Sequence, residues 1–364
     1  MPNWTDTLSA LGARLHIDEA TTVEDFGRPL AAAELADGFV AVVTDLGIIA
    51  ADGPDAASFL HSQLTNDVTH LGRQQARLAG YCSPKGRLQA SFLVWRGAGA
   101  DAGTEVDTIY LQLPRALQAP LQKRLSMFVL RAKAKLRDAT RDAAFAAVLG
   151  LGGARAEAAL RRHVPTLPDT PYGKAEGAAG TVIRLADAFG APRYLWLTSE
   201  ETAAAALPTL AAAQSAGLVL GGSQAWLLAA IHAGVPGITA ATQEQFVPQM
   251  VNFELLGGVD FKKGCYPGQE IVARSQYLGK LKRRTALATV ASPAARAGDE
   301  VYSMADPGQP CGMVVNAAAN GLGGADLLVE LKLGALGEDV RHGAPGGPAL
   351  AFQQLPYHLD PLEL

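Results

Sequence analysis

Strand-type and helix-type runs alternate along this chain as far as Arg284, and beyond it only short strand-type runs remain. Strands mixed with helices, then strands alone, specify an α+β body with an all-β appendix of about 80 residues. No internal period of roughly 20 to 50 residues is present, so a repeat array is excluded. In the body, residues 39–43 and 48–51 read as strands, and Asp52-Gly53 marks a turn. Pro54 opens a helix that runs to about residue 64. Residues 77–82 and 88–95 read as strands flanking a hairpin loop, Ser83-Pro84-Lys85-Gly86. A strand over 105–113 precedes a helix over 114–128 with Leu117, Leu121 and Leu125 on one face. Further on, helices are predicted near 154–162 and over 200–216, with strands at 181–185 and 194–197. Residues 4–15 have helical spacing, 21–34 read as a surface connection and 164–180 as a loop. Residues 223–233 form a helix that Gly234 ends.

The balance of 31 basic and 35 acidic residues excludes a globally basic nucleic-acid coat. No apolar run approaches the length of a membrane span, about 18 residues or more. The first 34 residues lack a basic segment followed by an apolar one, so no signal peptide is read there. Three scattered cysteines, Cys82, Cys265 and Cys311, make neither a disulfide framework nor a four-thiolate metal site, and no metal site is expected. A cytoplasmic protein, a monomer or weak dimer without membrane attachment, is the expectation.

The chemistry concentrates after Asp260. Cys265 stands between Gly264 and Tyr266-Pro267-Gly268, behind Lys262 and Lys263. Glycines that permit unusual turns and a proline that cannot extend a helix predict a shaped loop. Neighbouring ammonium groups favour thiolate, the reactive form of cysteine. Against this stands the usual fate of a free cysteine, which is to be a buried small hydrophobe. Gln269 and Glu270 either fix a ligand's hydrogen-bonding edge or satisfy the loop's own amides. Seven basic residues between Lys262 and Arg284, against Glu270 alone, read as a patch for phosphates or carboxylates, or as a solvated face. Cys82 and Cys311 read as structural. Neither a P-loop, a dinucleotide fingerprint nor a nucleophile elbow occurs.

The run Lys263-Gly264-Cys265-Tyr266-Pro267-Gly268-Gln269-Glu270 resembles the signature K-G-C-Y-x-G-Q-E of the YgfZ family of folate-binding proteins, relatives of the glycine-cleavage T-protein. Gly53-Pro54-Asp55-Ala56, Gln63 to Asp67, Ser83-Pro84-Lys85-Gly86-Arg87, Ala233-Gly234-Val235-Pro236, Phe246-Val247-Pro248-Gln249 and Leu355-Pro356-Tyr357 fit the same family in order. The resemblance spans residue 38 to the end. It implies a three-lobed cloverleaf whose central hole holds tetrahydrofolate or a one-carbon derivative, polyglutamylated forms included. Its implied boundaries are an N-terminal extension over 1–37, a folate-binding region over 38–284 and a β-barrel over 285–364. The folate-binding region consists of two interleaved lobes, the second at about 140–222.

The implied activity is accessory: assembly or repair of iron–sulfur enzymes, and through them tRNA modification such as thiomethylation. The implied partners are iron–sulfur client or assembly proteins. Cys265 is the implied reactive thiol, with Lys263 and Glu270 beside it. Trp226, His232, Gln249, Asn252, Tyr266, Gln269 and Arg274 are the implied cofactor-binding positions. Three departures stand out. The T-protein's catalytic aspartate has no counterpart in Gln89-Ala90-Ser91, so glycine cleavage is not expected. His232 replaces a glutamate common among relatives, and Leu46 replaces a folate-associated tryptophan. A folate-dependent aminomethyl transferase is the alternative reading. A direct tRNA-binding protein comes last, because no aromatic-plus-basic platform is evident in the sequence.

Overall fold

A computed structural model describes residues 3–17, 21–97, 107–214, 217–278 and 281–359. The first lobe is a five-stranded antiparallel sheet in the order Ala76–Cys82, Leu88–Gly97, Thr108–Pro114, Leu46–Asp52 and Lys135–Asp138. Its long strand alternates with period 2. Leu93 and Trp95 join the central core shared by all parts of the molecule, whereas Ala90, Phe92 and Val94 join the lobe's own core. Helices Ala56–His61 and Arg115–Ser126 cover that second face, the latter through Leu117, Leu121 and Leu125 as their spacing predicts.

The second lobe is a six-stranded sheet in the order Lys174–Gly177, Gly180–Ala188, Ala191–Thr198, Ala147–Gly152, Phe39–Val42 and Val219–Gly221. The early strand Phe39–Val42 is therefore drawn into the sheet of the later lobe, which interleaves the two. The central strand Ala147–Gly152 escaped the sequence reading, and its glycines explain why. The Trp226 ring lies where a Cβ on Gly150 would stand, and the Phe39 ring lies against Gly152. Partners remote in sequence demand these glycines, which weaken the strand signal locally.

Other differences have similar causes. Residues 4–15 divide into helix Trp4–Ala10 and strand Arg14–Ile17, which pairs with strand Thr21–Asp25 in the stretch read as a surface connection. Leu8 and Val23 there seal the second lobe's core. The predicted loop over 164–180 contains the edge strand Lys174–Gly177. The strand predicted over 105–113 begins at Thr108, and residues 105 and 106 lie outside the described residues.

The appendix is a six-stranded antiparallel sheet curled into a half-barrel, in the order Val340–His342, Glu300–Ser303, Gly312–Ala319, Ala325–Lys332, Arg283–Val290 and Leu350–Gln353. Helix Ser223–His232, apolar on every side, is the hub. Trp226, Leu228, Ala229 and Ile231 belong to the central core, which also takes Phe39, Trp95, Phe246, Phe253, Leu287 and Leu328. Gly234 ends this helix with a left-handed φ of 67°. Tyr357 lies where a Cβ at Gly234 would stand, and its hydroxyl donates to Gly234 O at 2.9 Å. The expected α+β class is borne out. No helix among the described residues is long and apolar enough to cross a membrane.

Candidate functional site

The signature run divides at Gly268. Residues up to it form the shaped loop that the glycines and proline predict, and Gln269–Tyr277 is a helix. Cys265 is exposed on the loop, while Cys82 and Cys311 are buried. Burial pushes the Cys82 thiol up to about 12, which leaves it inert at neutral pH.

Two neighbours of Cys265 turn inward and pin the loop. Lys263 Nζ donates to His61 O at 2.6 Å and to Leu64 O at 2.9 Å, and lies 4.7 Å from the centre of the Tyr266 ring. Tyr266 is buried, within electrostatic reach of Cys82, and burial raises its phenol. Burial lowers the Lys263 ammonium to about 8, against the pull of Asp260, Asp67 and Cys265. Lys263 is thus a cation at neutral pH and loses that charge above about pH 8. Lys263→Met is expected to slow iodoacetamide alkylation of Cys265 several-fold at pH 7. Above pH 9 the two proteins should converge, because the wild-type lysine is then neutral as well. Equal rates at pH 7 would exclude an electrostatic role for Lys263.

Gln269 satisfies the loop's own amide: its Oε1 accepts from Tyr266 N at 3.3 Å. Glu270 and Arg274 are exposed on the helix. A second hydrogen-bonded group stands against the loop. His61 Nδ1 is 3.0 Å from Asp67 Oδ1, and His61 Nε2 lies 3.7 Å from where a Cβ on Gly264 would stand. Burial alone would raise the Asp67 carboxyl, but His70 and His61 hold it down at about 2.

The Ser-Pro-Lys-Gly hairpin and the signature, far apart in sequence, interlock glycine on glycine. A Cβ at Gly268 would meet Ser83 O and Gly86 N, and one at Gly86 would meet Ile271. Gly268 also has a left-handed φ of 79°. Phe261 and Lys262, just before the signature, and Tyr277, at the end of its helix, help to wall a cleft of about 550 Å³ that also takes Tyr172, Arg77 and Asp260.

The remaining candidates lie deeper. Trp226 is 8% exposed, with the Arg193 guanidinium 5.0 Å from its ring centre. Arg193 is itself buried, and desolvation lowers it to about 10. Its Nε donates to Ala186 O, and its Nη1 has no hydrogen-bond partner. Tyr172, on the cleft wall, lies within its electrostatic reach. His232 Nε2 is 2.6 Å from Asp326 Oδ2 in the half-barrel, with Phe189 packed 4.7 Å from its ring. Burial would raise Asp326, but bonds from His232, Thr289 and Asn320 hold it below the usual carboxylate range. Gln249 and Asn252 are fully buried, donating to Val272 O and Thr285 O at 2.9 Å each. Arg193 and Tyr172 escaped the sequence reading. An arginine inside the apolar strand Ala191–Thr198 was the signal available.

The continuous basic patch does not form. Arg283 pairs with Glu330 and Arg284 with Glu254, acids the local sequence window does not contain. Lys263 points inward, Lys280 lies outside the described residues, and Lys262, Arg274 and Lys282 are exposed.

No family model matches the chain. Glycine cleavage system aminomethyltransferase T from Bartonella henselae matches its structure with a TM-score of 0.73 over 96% of this chain and 95% of that one, at 16% identity. Three lobes around a shared core and a signature loop at their junction thus make this a protein of the aminomethyltransferase-T fold. In sequence it is 35% identical over 257 residues to the tRNA-modifying protein YgfZ of Cronobacter sakazakii, covering 70% of each chain. It is 31% identical over 322 residues to that of Photorhabdus laumondii, covering 87% of this chain and 91% of the relative. The Klebsiella pneumoniae protein of the same name is 33% identical over 295 residues, 79% of this chain and 83% of the relative. The chain belongs to the YgfZ family.

Proposed function

We propose that this protein is a tetrahydrofolate-binding accessory factor for iron–sulfur enzymes, acting in tRNA modification through the Cys265 thiol. The observation that carries the reading is the exposed Cys265 on a loop pinned by Lys263 and Tyr266, the chain just before it, Phe261 and Lys262, walling an aromatic, cationic cleft. The tRNA-modifying relatives supply the process.

The residues present fit the group. Tyr172, Phe261 and Tyr277 suit a flat ring system, and Arg77 and Lys262 suit glutamyl carboxylates. Behind Tyr172, the buried Arg193 keeps an unmatched N–H donor, and Trp226 backs that arginine. Bound there, a reduced folate supplies a carrier for one-carbon units. The protein's own part is to hold the rings, exclude water and keep Lys263 charged beside the thiol. Client or assembly proteins reach Cys265 from solvent.

Calorimetric titration with tetrahydrofolate under reducing conditions tests the binding. Micromolar affinity that falls at least tenfold in Trp226→Ala is the expected result, and absence of binding sinks the folate reading. In a deletion strain, Cys265→Ala should fold normally yet fail to restore an iron–sulfur tRNA-modifying enzyme. Full rescue would remove the thiol from the mechanism. The aminomethyltransferase fold favours a second reading, one-carbon transfer, although the strand residues Gln89 and Ser91 offer no carboxylate. Turnover of methylene-tetrahydrofolate with an amine donor would establish it.

A further inference from the structure

Apart from the paired arginines of the broken patch, a second stretch of the chain carries positive charge without acids among it. Residues 115–137 contain seven cations and no acid. Arg115 and Arg137 at its ends are neutralised by Asp138, and by Asp52 and Asp142. Between them Lys123, Arg124, Arg131, Lys133 and Lys135 make no ion pair among the described residues. The Lys133 backbone N–H donates to Asp55 Oδ2, and that is the strap's contact with a carboxylate. Val129, Ala132 and Ala134 anchor this strap on the first lobe's core. Met127, Phe128 and Leu130 are left outside, 61%, 48% and 85% exposed.

The strap continues into a groove of about 620 Å³ through Lys123, Arg124 and Met127. On its far wall are Gln89, Gln243 and Glu244, the last being the carboxylate among its lining residues. Gln89 is 4% exposed, and its Nε2 donates to Glu244 at 2.5 Å. Its Oε1 has no hydrogen-bond partner. That oxygen is itself shielded from solvent, so the polar groups the groove presents are those of Gln243, Glu244 and Gln245.

We infer that the strap and groove bind single-stranded RNA, with phosphates along Arg131, Lys133 and Lys135, a base stacked on Phe128 and base edges along Gln243 and Gln245. A row of cations without intervening acid suits a polyanion, and an exposed ring among them suits stacking. An anionic bilayer would cover Met127 and Leu130 equally well, but its acyl chains would not match the amides and carboxylate of Gln243, Glu244 and Gln245 in the adjoining groove. This inference does not depend on folate binding or on Cys265.

The test is fluorescence anisotropy of the full-length protein with a labelled single-stranded 12-nucleotide RNA, between 50 and 200 mM salt. For Lys133→Ala/Lys135→Ala the slope of log affinity on log salt should fall by about 1.4, two phosphate contacts at roughly 0.7 each. Phe128→Ala should weaken binding about 5- to 10-fold at an unchanged slope. Arg162→Ala/Arg296→Ala, which removes exposed charge elsewhere, should change the slope little. No RNA binding at 50 mM salt would overturn the inference, as would equal slopes in the two double variants. Binding of phosphatidylglycerol vesicles but not RNA would overturn it and assign the surface to membranes. Thermal melts of each exposed-site variant exclude unfolding as the cause.

Discussion

Arg284→Ala is expected to cost about 3–5 kcal/mol of folding stability, read as a lowered urea midpoint at an unchanged m-value. Arg284 and Glu254 are 1% and 4% exposed and form a buried ion pair. Arg284 Nη1 also donates to Gln249 O at 2.9 Å, and Asn252 reaches Thr285 O from the same turn. These bonds tie residues 248–254 to the first strand of the half-barrel. Removing the guanidinium leaves a carboxylate buried without its countercharge, which is the expensive half of the change. The double replacement Arg284→Met/Glu254→Leu should therefore recover most of the loss. A single variant as stable as wild type would show that water reaches Glu254. Arg284 belongs to the frame that holds the lobes together, not to a surface for anions.

Gly268→Ala should be the second large effect, about 2–4 kcal/mol, from a left-handed residue given a side chain plus a backbone clash. The added methyl would stand 2.4 Å from Ser83 O and 2.7 Å from Gly86 N, and neither backbone atom can rotate away. The hairpin must then retreat from the signature loop. Cys82 ends the strand that leads into the hairpin and lies within electrostatic reach of Tyr266, so its alkylation reports the retreat. Wild-type Cys82, its thiol raised to about 12, should resist iodoacetamide under native conditions, and the variant should label within the same incubation. Unchanged melting and an unreactive Cys82 would mean that the interlock carries no stability.

Much of this was legible along the chain. Sequence patterns located four of the first lobe's five strands and its two helices, because each buries one face against a core formed by its own neighbours, while the short edge strand Lys135–Asp138, lying in a basic run, went unread. Gly264, Pro267 and Gly268 announced a loop, and a loop is what carries Cys265 to the surface. Strands such as Ala147–Gly152 were illegible because their small residues answer to rings 70 or more positions away, as Gly150 does to Trp226. The basic run 262–284 misled for a related reason: Glu254 and Glu330 lie outside it.

Residue order alone carried the α+β class, the all-β appendix, the signature and its cysteine, since these depend on local conformational preference and short spacings. Packing decided the rest. It paired Arg283 with Glu330, buried Arg284, turned Lys263 inward and set Trp226 behind Arg193. It also gathered Tyr172, Arg77 and Phe261 from three segments around one cleft. Charge pairing and desolvation act through space, so the partner that gives a side chain its role need not be near it in the chain.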